Sequence, residues 1–170
     1  DKIPFIRMEA GTNLIGGQPF SVANMREVRK VCDKYGIPLV LDISLVCENM
    51  YFIKIREAEF QNKEPGEILR TLCDLADIVY FSARKICCSR GGGIATRRED
   101  LYLKMRDLIP LFEGFLTYGG MSVREIEAMA VGLREATDFN MIRHSPEFIR
   151  YLVEHLDEKG IPVITPPGGL

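Results

Sequence analysis

The chain has 170 residues, 46% of them hydrophobic, and a formal net charge of −2, enough for one domain with a sizeable core. Its interspersed charges leave no basic patch for nucleic acid and no polybasic membrane signal, and no apolar run approaches bilayer length. The five cysteines (Cys32, Cys47, Cys73, Cys87, Cys88) are scattered without zinc-type spacing and read as reduced thiols of a cytoplasmic protein; two histidines, His144 and His155, argue against a histidine metal site.

In chain order, Ile3 to Met8 predicts a strand and Gly11 to Pro19 a loop. Ser21 caps an expected helix to Tyr35, with Val22, Met25, Val28, Val31 and Cys32 on one face and Gly36 as its stop. Pro38–Asp42 reads as a short strand ending in an acid. Helical patterns cover Glu48 to Phe60 and Pro65 to Leu75, the second with proline in its first turn. A buried strand follows Asp77, then the basic pair Arg84-Lys85, the cysteines Cys87-Cys88, the triplet Gly91-Gly92-Gly93, and a strand through Ile94–Thr96. Helices are expected over Arg98–Leu108, Ser122–Phe139 and Ser145–Lys159, and a further strand over Ile161–Ile164.

Short strands alternating with helices predict an α/β fold with a mostly parallel sheet and flanking helices. The two long helices after Gly120 have no strand between them, which suggests a departure from the sheet. The expected division is 1–121 for the sheet domain, 122–160 for helices leading out of it, and 161–170 for the start of a smaller domain. The chain starts at Asp1 without a methionine and stops in Pro166–Leu170 just after a strand-like run, so a piece of a longer protein is expected.

In an open α/β sheet, ligands gather at the carboxyl ends of the strands. Two of the expected strands end in Asp42 and, a few residues on, Lys85. An amine that can be desolvated in a glycine-walled pocket and an acid facing the same crevice suit pyridoxal phosphate: the lysine links to the aldehyde and the acid pairs with the pyridinium nitrogen. The bland readings are a solvated surface turn for Arg84 and Lys85, a helix cap for Asp42, and a structural turn for Asn13. Ser82 and Arg84 flank the lysine with groups suited to phosphate.

The runs NLIGGQPFSVANM (13–25), CENMYFIKIREAEF (47–60), SARK (82–85), FEGFLTYGG (112–120) and EAMAVGLREA (127–136) resemble the tryptophanase and tyrosine phenol-lyase family, in order and with matching spacing. The REAE and FLTYGG runs resemble tryptophanase somewhat more. The resemblance implies an aspartate-aminotransferase-like (fold type I) large domain, incomplete here. It also implies pyridoxal 5'-phosphate, β-elimination of tryptophan or tyrosine to indole or phenol with pyruvate and ammonia, and a cytoplasmic homotetramer. Lys85 matches the Schiff-base lysine of the family's SAKK or SGKK motif, and its freed amine is the candidate for α-carbon proton transfer. Asp42 matches the acid at the pyridine nitrogen, Asn13 the asparagine near the ring oxygen, and Ser82 the phosphate-side serine. Arg84 stands where the family has lysine.

Two departures stand out. Leu45 occupies the position of an arginine that approaches the cofactor's ring oxygen, and Arg90 precedes the glycines where a backbone carbonyl helps bind a monovalent cation. A carbonyl survives substitution, so potassium is left as an open expectation. The alternatives are another fold-type I enzyme, an aldolase or aminotransferase, or a non-catalytic relative.

Overall fold

The computed structural model describes residues 2–112, 114 and 120–170. Four strands form one sheet in the order β1 (Ile6–Glu9), β2 (Leu39–Asp42), β3 (Ile78–Ser82), β4 (Gly92–Thr96). The pairs β1–β2 and β2–β3 are parallel, and β4 returns antiparallel to β3. The parallel order follows from helical crossovers: α1 (Val22–Tyr35) links β1 to β2, while α2 (Val46–Arg56) and α3 (Pro65–Asp74) link β2 to β3.

Ser21 caps α1 by accepting the Asn24 N–H, and Gly36 ends it at φ 65°. Val22, Met25 and Cys32 are buried and Val28 packs against the core, but Val31 is 47% exposed, off the edge of the apolar stripe. A second cap comes from a distance: the Glu57 carboxylate accepts the N–H groups of Val22 (2.9 Å) and Ala23 (3.4 Å). Arg26 pairs with both Glu59 oxygens at 2.7 Å. The acids of the REAE run thus anchor α1.

The core lies on β2 and the helices over it, with Leu39, Leu41, Val46, Met50, Ile68 and Leu72 fully buried. At the amino edge, Asp77 accepts the Leu39 N–H at 2.8 Å and pairs with Arg29 at 2.7 Å, joining α1, β2 and the entry to β3. Asn49, also fully buried, clamps the main chain of Phe20 by accepting its N–H at 3.0 Å and donating to its carbonyl at 3.1 Å. The loop after β1 is thereby fixed to α2.

Beyond β4 come α5 (Glu99–Arg106) and α6 (Ile109–Phe112), then α7 (Val123–Glu135), α8 (Phe139–Ile142) and α9 (His144–Asp157). A one-turn helix, α4 (Ala83–Ile86), lies between β3 and β4 and makes contact with α7, while α8 and α9 rest on α2. The strand expected over Ile161–Ile164 does not form. The chain there is irregular, and its end runs back against the first loop, with Gly169 N–H donating to Gly17 O at 3.1 Å and Gln18 Nε2 to Pro166 O at 2.7 Å. Proline at 162 cannot donate to a ladder, and the hydrogen bonds of this tail go to loop backbone instead. No described helix is long and apolar enough to cross a membrane.

Candidate active site

Asp42 is the last residue of β2, and Lys85 follows the end of its parallel neighbour β3 by three residues. Asn13 follows the end of β1 by four, so all three stand at the carboxyl edge of the parallel strands. The ladder continues past Asp42 on both sides. Its carbonyl accepts the Ala10 N–H at 2.9 Å, and the next N–H, of Ile43, donates to Tyr80 O at 2.9 Å.

The Asp42 carboxylate is half-buried. Its Oδ1 accepts the Ser44 N–H at 2.9 Å, an Asx turn that opens the way into α2. Burial pushes this carboxyl up, but hydrogen bonds from Ser44 and the Tyr80 hydroxyl, together with the Arg7 charge, outweigh it and hold the group below its ordinary range. Asp42 is an anion at neutral pH.

Ser44 ties the two strand ends together. Buried itself, it faces Asp42 on one side, and its Oγ accepts the Ser82 N–H at 2.9 Å on the other. Ser82 is the N-cap of α4 and makes no side-chain capping bond there, so its hydroxyl is not committed to the helix. The turn is closed by Ala83 and Ser89: Ala83 N–H donates to Gly91 O, and Ala83 O accepts from the N–H groups of Cys87 and Ser89.

On α4 the buried positions go to Ala83 and Ile86, which turns Arg84 and Lys85 outward. Both are exposed, and neither side chain makes a hydrogen bond or ion pair among the described residues. Among the described residues, then, Lys85 is not desolvated and no glycines wall it in. The glycines instead serve strand pairing. A Cβ at Gly93 would lie 2.7 Å from the Phe81 ring, and one at Gly92 would strike the Phe81 carbonyl. Asn13 is likewise exposed on its turn, with its N–H 3.4 Å from Glu9 Oε1.

Leu45 is buried and sits against Gly11, where a Cβ would come within 2.8 Å of the Leu45 carbonyl. Arg90 is exposed, with Nε 3.8 Å from Glu125 Oε1, and its carbonyl lies 3.4 Å from Ser89 Oγ. No group of three or more metal-ligating His, Cys, Asp or Glu side chains occurs among the described residues. The lysine turn is pressed from behind by α7: Ser89 Oγ donates to Glu125 O at 3.0 Å, and a Cβ at Gly132 would fall 2.6 Å from the Cys87 Cα. The EAMAVGLREA run therefore buttresses the turn that carries Lys85. Of the FEGFLTYGG run, residues 113 and 115–119 lie outside the described residues.

Three residues of this site carried no expectation from the sequence: Ser44, Tyr80 and Arg7. Ser44 stands two positions after an aspartate, the spacing of an Asx turn, and was open to recognition. Tyr80 becomes visible only once the register places it opposite Asp42.

Comparison with known proteins converges on one family. A family model described as beta-eliminating lyase matches residues 1–166. A tyrosine phenol-lyase of Pasteurella multocida (strain Pm70) is 42% identical over 170 residues, covering 99% of this chain and 37% of that protein. A provisionally assigned tryptophanase of Aeropyrum pernix is 39% identical over 168 residues, 98% of this chain and 36% of its own length. Among solved structures, a provisionally assigned L-allo-threonine aldolase from Listeria monocytogenes superposes with a TM-score of 0.68 at 21% identity, covering 93% of this chain and 39% of the other. That likeness is one of fold, and it is the fold-type I architecture that the family resemblance implied. The chain spans a little over a third of the length of the curated relatives it matches.

Proposed function

The chain belongs to the beta-eliminating lyase family, and from that premise we propose that the whole protein is a pyridoxal-phosphate lyase releasing phenol or indole, pyruvate and ammonia from an aromatic amino acid. The observation that carries this reading is the pairing at the carboxyl edge: an ionised, hydrogen-bonded Asp42 ends β2, and Lys85 with Ser82 follows the end of the adjacent parallel strand.

The residues present fit the cofactor. An anionic carboxylate with spare acceptor sites suits a protonated ring nitrogen. A serine hydroxyl not engaged in capping and the exposed guanidinium of Arg84 suit a phosphate. When bound, pyridoxal phosphate supplies an electron sink for the charge left at the substrate's α-carbon. Asp42 would hold the proton at the ring nitrogen. Lys85 would hold the aldehyde carbon and, once displaced by the substrate amine, move the proton at the α-carbon. Ser82 and Arg84 would orient the phosphate, and Asn13 the ring's oxygen edge.

The choice between tyrosine and tryptophan rests on the names of the relatives, which include both activities. A potassium ion near the Arg90 carbonyl and a homo-oligomeric assembly are further parts of this proposal, supported by the family resemblance. Product analysis of the whole protein tests the reaction. Pyruvate and ammonia in equal amounts with phenol or indole are expected; glycine with an aldehyde, or a keto acid formed only with an amino acceptor, would replace the lyase by an aldolase or an aminotransferase.

A further inference from the structure

On the sheet face that carries the Asp42 side chain, four polar residues form a connected group. Parallel register sets Glu9 opposite Asp42 on one side and Tyr80 opposite it on the other. Side chains alternate along a strand, so Arg7, two residues before Glu9, shares their face. Its guanidinium reaches across β2: Nη1 lies 3.1 Å from the Tyr80 hydroxyl and Nη2 3.3 Å from Glu9 Oε2. Glu9 in turn lies 3.4 Å from the Asn13 N–H.

The chemistry of these groups fixes the direction of the chain. A guanidinium only donates, so toward Arg7 the Tyr80 oxygen must accept. The single phenolic proton is then left for another acceptor, and an ionised carboxylate only accepts. Asp42 is the register neighbour of Tyr80 on that face, and among the described residues the phenolic proton has no other acceptor. We propose that Tyr80, itself oriented by Arg7, is a positioning residue that delivers a directed O–H to Asp42 and so holds the carboxylate ionised and aimed at the cofactor's ring nitrogen. The inference rests on the pyridoxal phosphate reading above.

Two further observations agree with it. Burial, and next the nearby Asp42, push the Tyr80 phenol up, so it keeps its proton through the neutral range. The charged and titratable groups facing Asp42 are Arg7 and Glu9 from β1 and Tyr80 from β3; Glu9 is occupied by Arg7 and the Asn13 N–H, which leaves Tyr80 as the donor from that set. The hydrogen-bonded path runs from Arg7 through Tyr80 to Asp42, and removing Tyr80 leaves Arg7 only the direct effect of its charge.

The test uses the whole protein in cofactor-free and loaded forms. In the cofactor-free form, carbon NMR follows the Asp42 carboxyl, assigned by its loss in Asp42→Asn. Tyr80→Phe should raise the Asp42 titration midpoint, Arg7→Met should raise it less, and the double variant should shift it by less than the sum of the two. In the loaded form, nitrogen NMR of the ring nitrogen should move toward the unprotonated signal in Tyr80→Phe, with kcat reduced roughly 10- to 100-fold, the worth of a hydrogen bond to a charged group, and KM little changed. An Asp42 midpoint that stays put in Tyr80→Phe, with an unchanged melting curve, overturns the proposal. So does a double variant whose shift equals the sum of the two single shifts, because Arg7 would then act on Asp42 by its charge alone. Arg7 is exposed, so Arg7→Met tests the same chain if Tyr80→Phe folds poorly. A ring-nitrogen signal that moves in Asp42→Asn but not in Tyr80→Phe confines Tyr80 to a structural role and also overturns it. A signal that ignores even Asp42→Asn instead refutes the functional reading itself.

Discussion

A carboxylate offers about four acceptor sites, and at Asp42 the Ser44 N–H takes up one of them at 2.9 Å, which leaves room for a further donor. A ring N–H can therefore be added without breaking the turn into α2. Asp42→Asn should leave part of the cofactor bound but lower kcat on the order of 10²- to 10⁴-fold, because a neutral amide cannot hold the pyridinium proton. Steady-state turnover measures this, and wild-type turnover in Asp42→Asn would reduce Asp42 to a turn residue. Asp77, at the opposite edge, is a structural acid. Burial raises it, but the Leu39 N–H and the Arg29 guanidinium lower it by more. Its folded-state value therefore lies below its unfolded one, and its stabilisation is present above the unfolded value and is lost as pH falls through the folded one. Asp77→Asn should cost about 2 kcal/mol at neutral pH and flatten the acid limb of the stability curve, read by urea unfolding between pH 7 and pH 3.

Among the elements, those whose signal is local were legible in the sequence. The Ser21 cap, the Gly36 stop, Pro65 in the first turn of α3 and the strand ending in Asp42 all stand where the residues placed them. The order of strands and helices likewise gave the mostly parallel sheet, with β4 its antiparallel exception. What was not legible depends on partners distant in sequence. Val31 falls off the edge of the helical stripe and stays exposed, and Pro162 interrupts an apolar run that otherwise reads as a strand. The outward turn of Lys85 follows from which residues of a single helical turn meet α7, and no local pattern encodes that. Gly132 marks the place. A valine there would drive its Cβ into the Cys87 backbone, so Gly132→Val should destabilise the fold by about 1–3 kcal/mol and also weaken cofactor retention, since α7 backs the lysine turn. Thermal melting and a cofactor-binding titration read the two effects, and unchanged values in both would show that α7 does not support the turn.

For the whole molecule, sheet and site point the same way. The parallel strands bring Asp42, Ser82, Lys85 and Asn13 to one edge from three separate stretches of sequence. In the described residues Lys85 stands on the exposed side of its turn, while the chain spans about 37% of a tyrosine phenol-lyase. We propose that segments outside these 170 residues cover the lysine in the whole protein. The central claim, that Lys85 is the residue to which pyridoxal phosphate is joined, has a direct chemical test. Borohydride reduction of the loaded whole protein, followed by peptide mapping, should place a stable pyridoxyl group on Lys85 and abolish labelling in Lys85→Ala. A label found on another lysine, or undiminished in Lys85→Ala, would contradict the account.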